Sequence, residues 1–336
     1  MTLPRNYVDG FLVEWEEGEY KAEVKSMRQR SQAITPRITL ASAGGGGGGQ
    51  STAARAQAVR ARLARTAKRV PEVMVKITSS CRGMTQVSRH IDYISRKGQI
   101  DLEDQDGMTV RGKERLKELK EDWRAGGFKE IPGTSERRDT LNIVFSMPAL
   151  TDEASMKRAV RAFAAVEFAG NQYVFAYHTQ ATDPDPDPPA HPHVHLSVKT
   201  LGARGHRLNP RKADLQRWRE GFAAELRNHG IEANATSRLA RLKLDRGDSR
   251  AVIALKTKRE PVVAGTAPKS STRAAKAQKL ESDRLAYYGL VAQTLSQSED
   301  PADRQLGRDL AEALLSTAKP KQPEARPGER QNERDI

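Results

Sequence analysis

The sequence predicts an α+β domain, an antiparallel-type sheet of about five strands packed by helices. A flexible basic N-terminal arm and a partly helical C-terminal region flank it. Two observations predict the domain: short β-branched or aromatic runs of strand type, and apolar stripes at helical spacing between them, all within residues 71–247. A third predicts the flanks, because a run of six glycines (Gly44 to Gly49) and a Pro/Arg/Glu/Gln-rich stretch at 320–336 lack the apolar density of a core.

In chain order, residues 1–70 read as an arm with a glycine linker. Its second half, 51–70, carries Arg55, Arg60, Arg62, Arg65, Lys68 and Arg69 and no acid. That pattern suits a basic helix on phosphates and equally a solvated charged arm. Residues 71–247 form the expected domain, with strands at 73–78, 141–147, 173–179 and 193–201. Segments 100–102 and 108–110 flank an Asp/Gly-rich turn as a small hairpin.

Met84, Val87, Ile91 and Ile94 make one helical stripe. Thr151 caps a second helix, with Asp152 and Glu153 in its first turn, Met156, Val160 and Phe163 inward, and Gly170 at its stop. Asn209 and Pro210 open a third, with Leu215, Trp218, Phe222 and Leu226 on one side and Gly230 at its end. Residues 248–319 are a helical C-terminal region, with helices near 272–295 and 300–316, and 320–336 a disordered tail.

Bulk properties exclude several classes. The 336 residues carry a formal charge of +14, so the field of the whole molecule attracts polyanions without naming one. Aromatic content of 5% implies a modest core. Cys81 is the single cysteine, which rules out an intramolecular disulfide and a multi-thiolate zinc site. No apolar run approaches the roughly 18 residues of a membrane helix, and no secretory signal pattern opens the chain, so a cytoplasmic location is expected. The glycine run lacks the strand and lysine of a nucleotide-binding loop.

Chemistry concentrates in the histidines. Four of the seven lie between His178 and His195. Strand alternation puts His193, His195, Ser197 and Lys199 on one face and Val194, Leu196 and Val198 on the other. Two imidazoles about 6–7 Å apart on one strand can converge on one ion. A solvated polar face explains an isolated pair as well. His178 ends the preceding strand, however, and a third histidine with open coordination positions describes a catalytic metal centre. Tyr93, with His90 and Lys97 on its own helical face, suits attack on a phosphate. A tyrosine beside an apolar stripe is more often a packing residue.

The motifs Asp92-Tyr93-Ile94-Ser95-Arg96-Lys97-Gly98, Phe145-Ser146-Met147-Pro148, Glu167-Phe168-Ala169-Gly170-Asn171, His178…His191-Pro192-His193-Val194-His195 and Gly230-Ile231-Glu232-Ala233-Asn234-Ala235-Thr236 occur in this order. Together they resemble the relaxase/mobilisation nuclease family, more closely its MOB-P branch with the T-DNA border endonucleases, within the HUH endonucleases. The resemblance spans about residues 71–242. It implies Tyr93 as nucleophile, His178, His193 and His195 as ligands of Mg²⁺ or Mn²⁺, and Ser146 near the nick. It further implies single-stranded DNA at a transfer origin as substrate, with relaxosome accessory proteins and a type IV secretion coupling protein as partners.

Two positions depart from the family pattern. Gln180 stands where an aspartate is usual, two residues after the first histidine, and Lys199 where an asparagine is usual. An inserted stretch, Asp183-Pro-Asp185-Pro-Asp187-Pro-Pro189, can supply a carboxylate, so Asp187 and His191 are the candidates for activating the phenol. Arg96, Lys97, Lys199, Arg207, Arg211 and Arg238 are the candidate DNA contacts. The alternatives are a rolling-circle replication initiator, a metal-dependent hydrolase and a non-catalytic basic DNA-binding protein. Initiators carry their tyrosine after the histidine motif, and Tyr93 precedes it.

Overall fold

The computed structural model describes residues 2–24, 51–126, 129–182, 191–236 and 271–318. Asp187, Arg238, the glycine run, the Asp/Pro insertion and the C-terminal tail lie outside them. The chain divides into two compact units, one of residues 69–237 and one of residues 1–68 with 238–336.

The first unit is built on a six-stranded antiparallel sheet in the order β1-β4-β6-β5-β2-β3. Its strands are β1 (Met74–Cys81), β2 (Leu102–Asp104), β3 (Thr109–Val110), β4 (Thr140–Ser146), β5 (Tyr173–His178) and β6 (His193–Lys199). The four long strands fall where the β-branched runs predict them, and the small hairpin supplies β2 and β3.

Alternation decides what each face meets. Leu141, Ile143 and Phe145 of β4, Tyr173, Phe175 and Tyr177 of β5, and Val194, Leu196 and Val198 of β6 share one face. There they pack against Met156, Val160 and Phe163 of helix α5 (Glu153–Glu167) and Trp218, Phe222 and Leu226 of helix α6 (Lys212–Asn228). The helix starts differ in detail from expectation. Asp152, not Thr151, caps α5 by accepting from the Ser155 amide, while the Thr151 hydroxyl donates to the Pro148 carbonyl. α6 begins after Arg211, two residues beyond Asn209 and Pro210, with the Asp214 carboxylate accepting from the Arg211 amide.

The opposite face holds Val174 and Ala176 of β5 together with the histidines. It is covered by α3 (Gly83–Ile94) and α4 (Gly112–Ala125). Met84, Val87, Ile91 and Ile94 are buried there, as their spacing predicts. The sequence reading missed α4, although Leu116, Leu119 and Trp123 repeat at helical spacing and are buried against α3. Its strongly charged composition hid a three-residue stripe.

The second unit corrects the expectation of a flexible arm. Residues Arg5–Val24 (α1) and Thr52–Ala67 (α2) are helices, and they share a core with α7 (Ser271–Ser296) and α8 (Pro301–Ala318). Val8, Leu12 and Trp15 of α1, Val59 and Leu63 of α2, and Val291, Leu295 and Leu310 are buried in it. The basic residues of α2 also differ from the phosphate-binding reading. Buried Arg60 makes two hydrogen bonds to Asp303, at 2.6 and 2.9 Å, and one to Asp9 at 2.5 Å. Arg55 pairs with Glu17 and Arg62 with Glu16. Acids distant in sequence satisfy these cations, which a local charge count does not register.

Candidate active site

The site begins with strand register. In the β5–β6 pair, His178 stands directly opposite His193 and Ala176 opposite His195. Alternation points all three imidazoles to the α3/α4 side, and the small Ala176 side chain leaves room for the His195 ring. Ring centroids lie 4.7 Å apart for His178–His195, 5.0 Å for His193–His195 and 5.5 Å for His178–His193. One ring nitrogen from each lies within 4.8 Å of the others.

Two backbone carbonyls set the tautomers. His178 Nε2 donates to the Ile94 carbonyl at 2.7 Å, which puts the proton on Nε2 and leaves the lone pair on Nδ1. His193 Nδ1 donates to the His191 carbonyl at 3.2 Å, which leaves the lone pair on Nε2. Burial, followed by the neighbouring imidazoles of His178, His193 and His90, pushes His195 down to about 2, so it is neutral as well. Three neutral imidazoles, two of them oriented by carbonyl acceptors, form the donor set of a divalent transition-type ion or a related hard dication. No carboxylate joins this group among the described residues, and three imidazoles by themselves would leave an ion open positions for substrate. The residues fit a catalytic metal.

Tyr93 reaches this centre from α3. Its ring stands edge-on to His195 with centroids 6.1 Å apart, and the residue is 44% exposed. Both ends of the helix are held. At the start, Gly83 donates to the Asp139 carboxylate, Met84 to the Pro132 carbonyl and Thr85 to the Gly133 carbonyl. Gly83 has φ +73°, and a Cβ there would lie 2.5 Å from the Gly133 oxygen, so only glycine permits this docking. At the end, the Lys97 amide donates to the Asp92 carbonyl and the Arg96 amide to the Tyr93 carbonyl, the hydrogen-bond pair of a Schellman stop. Arg96 and Lys97 take left-handed conformations, φ 47° and 57°, and both side chains are exposed directly after Tyr93.

The remaining candidates separate. Ser146 lies opposite His193 at the imidazole end of β4, buried, its hydroxyl donating to the Pro192 carbonyl at 3.3 Å. There it supports the turn into β6 and is not presented outward. His191 has an exposed side chain and contributes its carbonyl to His193. Lys199 is a correction. Only 5% exposed, it donates to the Gly126 carbonyl and to Gln172 Oε1, so its ammonium braces the sheet against a loop and offers nothing to a phosphate. Arg207 donates to the Arg138 carbonyl and to Thr200, about 20 Å along β6 from His193 by strand rise. Arg211 stands at the start of α6, in the layer on the opposite face of the sheet. Neither is brought to the imidazoles.

Residues 93–231 match the family model described as relaxase, MobA/VirD2-like, nuclease domain. The chain carries a relaxase nuclease domain. The match starts at Tyr93 itself and runs through the three histidines to the end of α6. Among curated proteins, none matches the chain. Relaxases are DNA-cutting enzymes that bind single-stranded DNA at an origin and generally depend on a metal ion, and the imidazole cluster of this relaxase domain accords with that. No helix among its described residues is long and apolar enough to cross a membrane.

Sequence reasoning missed the carbonyls of Ile94 and His191, because a backbone acceptor leaves no mark in residue identity. It placed His90 beside Tyr93 only as a neighbouring cation, not as a ring stacked on the phenol. Its signal was present, three residues before Tyr93 on the same helical face.

Proposed function

We propose that this relaxase nicks single-stranded DNA at a transfer origin by transesterification on Tyr93, in support of conjugative transfer or mobilisation. The phenolic oxygen attacks phosphorus in line and the bond from phosphorus to the 3′ oxygen breaks. The departing oxygen keeps the electron pair and takes up the proton lost by the phenol, leaving a 3′-OH and a 5′-phosphotyrosine. The phosphodiester stored on Tyr93 permits religation without a nucleotide cofactor. One observation carries this reading: Tyr93, half exposed, stands edge-on 6.1 Å from His195 of the imidazole cluster.

His178 Nδ1, His193 Nε2 and a nitrogen of His195 would hold the ion, with Mg²⁺ or Mn²⁺ as the species in use. When bound, it supplies charge stabilisation at the non-bridging phosphate oxygens. Arg96 and Lys97 hold the phosphates flanking the nick, and Arg207, Arg211 and Arg238 serve the DNA farther out. Ser146 fixes the strand end beside His193. A phenol with an ordinary pKa near 10 needs help to ionise, and Asp187 and His191 are the candidates for it. Relaxosome accessory proteins and a type IV secretion coupling protein are the proposed partners, and the cytoplasm the proposed compartment.

The test is incubation with single-stranded origin DNA and Mn²⁺, followed by a denaturing gel. A slow-migrating protein–DNA adduct, absent with Tyr93→Phe and with EDTA, supports the proposal. Cleavage that survives Tyr93→Phe without an adduct overturns it in favour of a water nucleophile.

A further inference from the structure

Beyond the three imidazoles, a fourth lies against the tyrosine. His90 precedes Tyr93 by three residues on α3, and their rings stack with centroids 6.3 Å apart at an interplanar angle of 25°. Its Nε2 is buried and has no hydrogen-bond partner among the described residues. Buried polar atoms are nearly always paired, because leaving one unpaired costs its desolvation without return. An unpaired nitrogen against a reactive side chain therefore calls for a partner that arrives during function.

The phenol of Tyr93, whose ring stacks on the imidazole, is a group able to provide one. The Tyr93 ring is half exposed and contacts both His90 and His195, so rotation about its side-chain torsions carries the hydroxyl past both rings. Catalytic hydrogen bonds are often unmade in the free enzyme and form when substrate is seated. The neutral state favoured by burial of His90 leaves a lone pair on one ring nitrogen, as an acceptor requires.

We propose that His90 is a positioning residue for Tyr93. In the free protein its ring stacks beside the phenol, and its Nε2 accepts the phenolic hydroxyl once the tyrosine side chain has turned out of that stack toward the phosphate. The proposal rests on the transesterification reading and adds the device that fixes the attacking rotamer.

The experiment compares His90→Phe, which keeps a flat ring and removes the acceptor, with His90→Gln, which restores a neutral acceptor. Three quantities are read: the single-turnover rate of adduct formation on origin DNA, the affinity for that DNA, and the ¹³Cζ resonance of Tyr93, identified by its loss in Tyr93→Phe. With His90→Phe the adduct rate falls about a hundredfold, as for a misplaced nucleophile, with DNA affinity unchanged and the Tyr93 resonance shifted. With His90→Gln much of the rate returns. Adduct formation at the wild-type rate in His90→Phe overturns the inference and leaves the proposed function standing, as does a rate loss matched by lost DNA affinity. Absence of any adduct from the wild-type chain removes both.

Discussion

The Nε2 of His178 donates to the carbonyl of Ile94, the residue after Tyr93, at 2.7 Å. One hydrogen bond thus fixes the tautomer of a candidate metal ligand and satisfies a carbonyl at the end of the tyrosine-bearing helix, which would otherwise lack an acceptor role. His178→Ala should therefore do two things at once. Mn²⁺ affinity, measured by titration calorimetry, falls more than about tenfold, and urea unfolding shows a loss of about 1–3 kcal/mol as the Ile94 carbonyl loses its donor. His195→Gln should weaken Mn²⁺ binding similarly while keeping the Ile94 bond, at a smaller cost in stability.

The turn after Tyr93 holds strain that can be separated from function. Arg96 adopts φ 47°, where glycine is at ease and an L side chain is not. Arg96→Gly should raise stability by roughly 1 kcal/mol in urea titrations and weaken single-stranded DNA binding. Gly98→Ala should do the reverse to stability, because a Cβ there would lie 2.8 Å from the Gly112 carbonyl carbon at φ +89°.

Salt dependence distinguishes the lysines. Lys97 is exposed beside Tyr93, so Lys97→Ala should lower the slope of log affinity against log salt by about 0.7 for single-stranded DNA. Lys199→Met should leave that slope unchanged. It should cost about 1–2 kcal/mol in unfolding, because the Gly126 carbonyl and Gln172 lose their donor.

The metal-free protein should lose stability in mild acid. Burial pushes His90 down to about 4, and burial with neighbouring imidazoles pushes His195 to about 2, against an unfolded value of about 6.5. Between those values the unfolded chain binds more protons than the folded one, so stability rises with pH. The contribution is complete above about pH 6.5 and is lost progressively as pH falls toward the folded values. Urea midpoints taken at about pH 7 and about pH 5 in EDTA should show this drop, and His195→Gln should reduce it. An equal drop in the variant counts against the assignment.

In the helical unit, Arg60 neutralises Asp9 and Asp303, both nearly inaccessible to solvent. Arg60→Ala leaves two buried carboxylates facing each other and should cost about 3–5 kcal/mol. Amide hydrogen exchange should report it as lost protection in α1, α2 and α8.

The imidazole cluster was legible because strand alternation is rigid. A His-x-His pair with valine and leucine between must face one way, and a third histidine at the end of the preceding strand can meet it only if the two strands pair as neighbours. The place of Tyr93 beside an apolar stripe fixed its helix, while its candidacy as nucleophile came from the family resemblance and not from the stripe. Lys199 was misread because its position on the histidine face was evident while its depth was not. Depth depends on α4, whose stripe of Leu116, Leu119 and Trp123 is buried among charges. Helix α1 was missed for a related reason. Its partners lie far off in sequence, at a separation of 38 residues for Glu17–Arg55 and 272 for Trp15–Tyr287, and no local pattern encodes them.

That separation bears on how the chain is made. Residues 69–237 are contiguous and can close their sheet as soon as β6 and α6 leave the ribosome. Helices α1 and α2 emerge before that sheet and can pack on each other, but the parts of their apolar stripes that α7 and α8 cover wait until residues near 300 are synthesised. Over that interval those helices stay open to chaperones, proteases and like segments of neighbouring nascent chains.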